Sequence, residues 1–122
     1  MTLIDRKALT RKYKETPVSA GVYRVRNTVA AKSLVGSTPN LPGMMNRLRF
    51  DLENGSHLDK ELQKDWDDLG SDSFELEVLD ELESTDDPAY DPREDLRVLQ
   101  QMWIERLTAS GEMLYELSRR GT

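Results

Sequence analysis

Few side chains in this sequence can do chemistry, and their types narrow it quickly. Among 122 residues there is no cysteine and a single histidine, His57. That excludes zinc–thiolate sites, iron–sulfur clusters and thiol nucleophiles, and it agrees with a reducing compartment. What is left is oxygen and cation chemistry. Tyr23 stands in the run Val22-Tyr23-Arg24-Val25-Arg26, where β-forming residues alternate with guanidiniums. Arg47 and Arg49 follow at two-residue spacing, and Lys32 and Lys60 add ammonium groups. These are the side chains that grip phosphate, arginine through its planar fork. Glu75 and Glu77 alternate with Phe74, Leu76 and Val78, which reads as the solvated face of a strand and not as a metal pair.

Charge is unevenly distributed. Residues 1–64 hold 12 basic and 6 acidic side chains, residues 65–95 hold 1 and 14, and residues 96–122 hold 4 and 3, within a net charge of −6. The acidic total argues against indiscriminate binding to nucleic acid, while the first half could still present a local basic patch. Candidate nucleic-acid contacts are Arg24, Arg26, Lys32, Arg47, Arg49 and Lys60. The acidic stretch is a candidate protein-facing loop, and either run could also simply solvate the surface. No apolar run approaches the ~18 residues of a membrane span, and Met1-Thr2-Leu3-Ile4-Asp5 lacks a signal-peptide core. A cytoplasmic protein with no membrane partner is expected.

The elements that must position these groups follow from periodicity and punctuation. The length predicts one domain able to fold without a disulfide or structural metal. Residues 1–16 read as an arm or short basic helix ended by Pro17, 17–118 as the domain, and 119–122 as a tail. Residues 20–26 and 32–36 are expected to form a β-hairpin, and 73–79 a third strand. Thr38-Pro39 predicts a helix start, with Met44, Met45, Leu48 and Leu52 on the apolar side before Asn54-Gly55. A second helix over 57–69 carries Leu58, Leu62, Trp66 and Leu69 to a stop at Gly70. Asp91-Pro92-Arg93-Glu94 reads as a capping box opening the longest helix, over 92–108, with Leu96, Leu99, Trp103 and Leu107 inward. The fold class expected is α+β, a small three-stranded, mostly antiparallel sheet flanked by helices. Tyr23 then sits on a strand with its hydroxyl at the rim, and His57 opens a helix.

Gly21-Val22-Tyr23 followed by Leu34-Val35-Gly36-Ser37-Thr38 resembles the paired signature of the GIY-YIG nuclease superfamily. Further matches run with it. They include Val25-Arg26-Asn27-Thr28, Asn40-Leu41, Asn54-Gly55-Ser56-His57, Lys60-Glu61-Leu62-Gln63 with Trp66, and Phe74 to Leu79. Trp103-Ile104 and the ending near Tyr115 sit where that family places its last two elements, so the resemblance covers about residues 18–117. It implies phosphodiester hydrolysis with one divalent metal, magnesium or manganese. In that chemistry two tyrosines and a water arrange the nucleophile, an arginine stabilises the phosphate, and a glutamate holds the metal.

Transferred position by position, the resemblance leaves Tyr23 at the first signature tyrosine and His57 at a histidine of the homing-endonuclease branch. Leu34 replaces the second tyrosine, Met44 the arginine, Leu48 a second histidine and Gln100 the metal-binding glutamate, and Glu116 stands where an asparagine is expected. Leucine cannot transfer a proton, and methionine offers no charged fork. The expectation is a GIY-YIG-like domain with most catalytic positions replaced, a non-catalytic or strongly impaired module that binds nucleic acid weakly or binds a protein. The alternative is an active metal-dependent DNA endonuclease with a rearranged site. Its catalytic candidates are Tyr23, His57 and Arg47, the last leaning toward the pocket vacated at Met44. Glu116 and Gln100, a carboxylate and an amide in exchanged order, are its candidate metal ligands.

Overall fold

The computed structural model describes residues 19–83 and 87–119. The arm or helix expected over residues 1–16, Pro17, part of the acidic loop and most of the tail lie outside them. The elements run β1 (Gly21–Asn27), β2 (Lys32–Thr38), α1 (Leu41–Glu53), α2 (Lys60–Leu69), a 3₁₀ turn (Ser71–Ser73), β3 (Phe74–Glu81), α3 (Arg93–Ala109), β4 (Met113–Leu114) and α4 (Glu116–Arg119).

The hairpin forms as expected. Val29 and Ala30 donate their amides to Asn27 Oδ1 at 3.0 and 3.1 Å, which closes the loop between β1 and β2 as an Asx turn. Antiparallel pairing sets Tyr23 opposite Gly36 and Val25 opposite Leu34. β3 pairs antiparallel with the other edge of β1, with an irregularity between Val22 and Tyr23. The sheet has four strands, in the order β3-β1-β2-β4, because Met113–Leu114 pairs parallel with Lys32–Ser33. Two residues are too few to show an alternation, so this strand has no periodic signature.

Strand alternation divides the core between the two faces of the sheet. Tyr23, Val25 and Leu34 pack with Leu41, Leu48 and Leu52 of α1, Leu62 of α2, Phe74 and Tyr115. Val22, Val35, Ile104 and Leu114 pack on the other side, with Leu99, Trp103 and Leu107 of α3 against them. Trp66 and Trp103, expected in the core, are half-buried at its margins, the Trp103 indole donating to Asp80 Oδ2 at 3.1 Å.

Three helix starts differ from expectation for local reasons. Thr38 stays in β2 opposite Gly21, and Asn40 caps α1 by accepting from Gly43 N at 3.0 Å. The first-turn proline is Pro42, not Pro39. α2 begins at Lys60 because Asp59 caps it, Oδ1 accepting from Leu62 N at 3.1 Å, and Leu58 is left 79% exposed. At α3, Asp91 Oδ1 accepts from Arg93 N at 3.0 Å, but Glu94 pairs with Arg97 at 2.6 Å and does not reach back to close a box.

Candidate nucleic-acid site on the α1 face

A cavity of about 320 Å³ opens between the hairpin and α1. The strands contribute Tyr23, Leu34, Val35, Gly36 and Ser37; α1 contributes Met44, Arg47, Leu48 and Asp51. The loop before α2 adds His57 and Leu58, and α4 adds Leu117. Gly36 creates much of this shape, since a Cβ there would lie 2.3 Å from Tyr23 Oη. Tyr23 is 8% exposed, and its hydroxyl, which makes no hydrogen bond among the described residues, is pushed above the ordinary tyrosine value by burial.

His57 is held firmly. Its amide donates to Gln63 Oε1 at 3.0 Å, and its Nδ1 accepts from Asp59 N at 3.0 Å. Burial pushes the imidazole below the usual histidine value, against the opposing pull of Asp59 and Asp51. Arg47 lies one helical turn before Asp51, with Nε 3.6 Å from Asp51 Oδ2, and stays largely in solvent.

No protein-family model matches this sequence, and no curated protein does. Solved structures do. The catalytic domain of intron endonuclease I-TevI, in a mutant form, superposes with a TM-score of 0.62 at 25% identity, covering 82% of this chain and 94% of that one. A second structure, the catalytic domain of homing endonuclease I-TevI, gives 0.60 at 26% identity, covering 77% and 94%. This chain has the GIY-YIG fold.

Within that fold the two signature tripeptides lie side by side as adjacent antiparallel strands, and the cavity opens where Tyr23 crosses Gly36. Tyr23, Arg47 and His57 share the cavity. Leu34, Met44 and Leu48 share it too and give it an apolar wall. Gln100 and Glu116 are not brought to it. Gln100 is buried under β2, its Oε1 accepting from Ser37 Oγ at 2.8 Å and its Nε2 donating to Val35 O at 3.3 Å. Glu116 is exposed and lines a separate cavity of about 260 Å³ with Leu58, Asp59, Lys60, Glu61 and Leu117.

The cavity therefore does not suit a divalent cation. Its one carboxylate, Asp51, already faces Arg47, and the remaining walls are largely hydrocarbon and thioether. Among the described residues no group of three or more histidine, cysteine, aspartate or glutamate side chains could hold a metal.

The candidate cations divide into two sets. Arg24 pairs with Glu77 and lies 3.9 Å from Glu112; Arg26 Nε donates to Glu112 Oε2 at 2.9 Å. Glu77, expected to be solvated, is thus half-buried in a cross-strand pair. Burial would raise the Glu112 carboxyl, but hydrogen bonds from Arg26 and Ser33 and the nearby Arg24 charge hold it below the usual carboxylate value. Lys32 pairs with Glu61 and lies over the Tyr115 ring, 4.8 Å from its centroid. Arg47, Arg49 and Lys60 form the exposed set, along α1 and at the start of α2. Among the described residues no helix is long and apolar enough to cross a membrane.

Two contributors were missed by the sequence reading. Asp51 was legible as the i+4 partner of Arg47. Asp59 was legible as an N-cap two residues after His57, but Leu58 suggested that the helix had already begun.

Proposed function

We propose that this chain is a nucleic-acid-binding module on the GIY-YIG fold in which phosphodiester hydrolysis is lost or strongly impaired. The observation that carries the reading is the composition of one cavity. Tyr23, Arg47 and His57 line it beside Leu34, Met44 and Leu48, while Gln100 is engaged with β2 on the face that α3 covers. Losing one charged transition-state contact costs ~3–4 kcal/mol, a factor of ~10²–10³. Losses at several positions need not add, yet together they leave little rate.

Binding is supported by the exposed cations of α1 and the start of α2, of which Arg47 lines the cavity. Arg47, Arg49 and Lys60 can meet a phosphate backbone without first breaking a buried pair. Arg24, Arg26 and Lys32 already have carboxylate partners and contribute less. The acidic residues of α2 repel the backbone elsewhere, which keeps affinity low and confines it to the α1 side.

A second reading, an active endonuclease with a rearranged site, is favoured by one fact: Arg47 enters the cavity one turn beyond Met44. One experiment separates the two. Duplex and single-stranded DNA are incubated with purified protein and magnesium or manganese. The expected outcome is no cleavage above background, together with salt-sensitive binding by fluorescence anisotropy. Metal-dependent cleavage that disappears in Tyr23→Phe would establish the second reading instead.

A further inference from the structure

The single histidine has one ring nitrogen occupied and one open. Asp59 N donates to His57 Nδ1 at 3.0 Å, so Nδ1 carries a lone pair and the ring proton of the neutral imidazole belongs to Nε2. His57 is 6% exposed, has no hydrogen-bond partner at Nε2 among the described residues, and lines the cavity. No fully buried side-chain nitrogen or oxygen among the described residues lacks a partner, so Nε2 keeps some contact with solvent, and the residue as a whole lines the cavity.

We infer that His57 is a neutral hydrogen-bond donor that presents Nε2–H to an oxygen of the nucleic-acid backbone, and that it is not a proton acceptor. This rests on the nucleic-acid reading above. A base at Nε2 would need the other tautomer, with the proton on Nδ1 facing the Asp59 amide hydrogen, two donors in collision. An imidazolium would lose the same hydrogen bond. Asp59 is itself fixed, because Oδ1 caps α2 at Leu62 N and Oδ2 accepts from Leu117 N at 3.1 Å. The tautomer is therefore set by the start of a helix and the last described helix together. The charged groups around the ring are Asp51 from α1, Asp59 and Lys60 at the start of α2, and Arg47 across the cavity, with the Tyr23 hydroxyl on the strand side. Burial outweighs the two carboxylates and keeps the ring neutral near pH 7.

Two amide isosteres separate donor from cap. In His57→Asn the side-chain oxygen replaces Nδ1 and keeps the bond from Asp59 N, while the Nε2 donor is lost. In His57→Gln the amide NH₂ stands near Nε2, while the cap is lost. Binding of a fluorescein-labelled duplex oligonucleotide is followed by anisotropy, with thermal unfolding of each variant beside it. We expect His57→Asn to fold like wild type and bind about tenfold more weakly, the loss expected for one hydrogen bond to a charged acceptor. His57→Gln should retain most of the affinity at lower stability.

Long-range ¹H–¹⁵N correlation on the wild-type histidine reads the tautomer without any variant. Nε2–H and a bare Nδ1 are expected at pH 7.5, with the Nε2 resonance moving on DNA addition. An Nδ1–H tautomer, a static Nε2 resonance at saturating DNA, or unchanged affinity in His57→Asn would each overturn the inference. Wild-type protein that binds no DNA would instead overturn the nucleic-acid reading and the role built on it, leaving the tautomer as a separate result.

Discussion

The ring of Tyr23 lies across the backbone of Gly36, its directly opposed residue on β2, so closely that a Cβ there would approach Oη to 2.3 Å and Cζ to 2.5 Å. Neither φ nor turn geometry demands glycine at this point. The requirement is space, and it ties the two tripeptides together: one supplies the ring and the other the absence of a side chain.

Gly36→Ala must therefore displace an aromatic ring that is buried among Leu34, Leu48 and other core residues. Overpacking of this kind costs about 1–3 kcal/mol, to be measured by urea unfolding. In the Tyr23→Leu background the same substitution should cost less, because the atoms it meets are gone. Equal costs in both backgrounds would show that the strain lies elsewhere.

Salt dependence should distinguish the two sets of cations. Each neutralised phosphate contributes a log–log slope of about −0.9 on duplex DNA. Removing Arg47, Arg49 and Lys60 together should flatten the slope by about two to three such increments, whereas Arg24→Ala should leave the slope unchanged and lower stability by leaving Glu77 unpaired. Anisotropy titrations over a series of salt concentrations provide the measurement.

Acid should act through His57 before it acts through the carboxylates. Its value is lowered from 6.5 on folding, so the unfolded chain binds the proton more readily. The stability it contributes is complete above pH 6.5 and declines as pH falls toward the folded value. Glu112, also lowered from its ordinary 4.5, adds its loss further down. Thermal unfolding between pH 7.5 and 4 should show the first decline in wild type and not in His57→Asn.

The alkaline side is governed by tyrosine. Tyr115 is fully buried, its Oη accepting from Asn27 Nδ2 at 3.1 Å and donating to Asp65 Oδ2 at 2.7 Å. Burial first, and then Asp65, raise it above the ordinary value of 10.0, as burial also raises Tyr23. Both favour the protonated folded form, so stability is full below about pH 10 and falls as pH rises beyond it. Tyr115→Phe should cost about 1–3 kcal/mol at pH 8, through the polar groups it leaves unmatched, and should reduce the alkaline decline seen in thermal unfolding.

What the sequence disclosed tracks how local the determining physics is. The hairpin, β3 and the three longer helices were legible because alternation, an apolar stripe or a glycine stop is written within a dozen residues. The pairing of Arg24 with Glu77 was not, since it depends on strand order and on a register that slips at Val22. β4 left no pattern, and the engagement of Gln100 with Ser37 depends on how α3 crosses the sheet. The resemblance singled out Tyr23 and His57 as candidates, with Arg47 beside them, and the structure sets all three around one cavity. It could not supply the Asp59 bond that decides what His57 does.

The outer edge of β2 is closed by residues far downstream. Met113 N donates to Ala31 O and Tyr115 N to Ser33 O, while Val35 N donates to Ser118 Oγ, a partner 83 positions away. Leu117, in the same stretch, walls the cavity, and its amide holds Asp59. Contacts of such long sequence separation must meet a loop-closure entropy before they reward it. On the ribosome the hairpin, α1 and α2 emerge well before their closing segment. A nascent chain stalled ahead of Met113 presents an open β2 edge and a cavity missing one wall. One wall of the cavity and the hold on Asp59 thus depend on the docking of a short C-terminal segment against β2, so a substitution that loosens Ser118 from Val35 reaches the cavity from a distance.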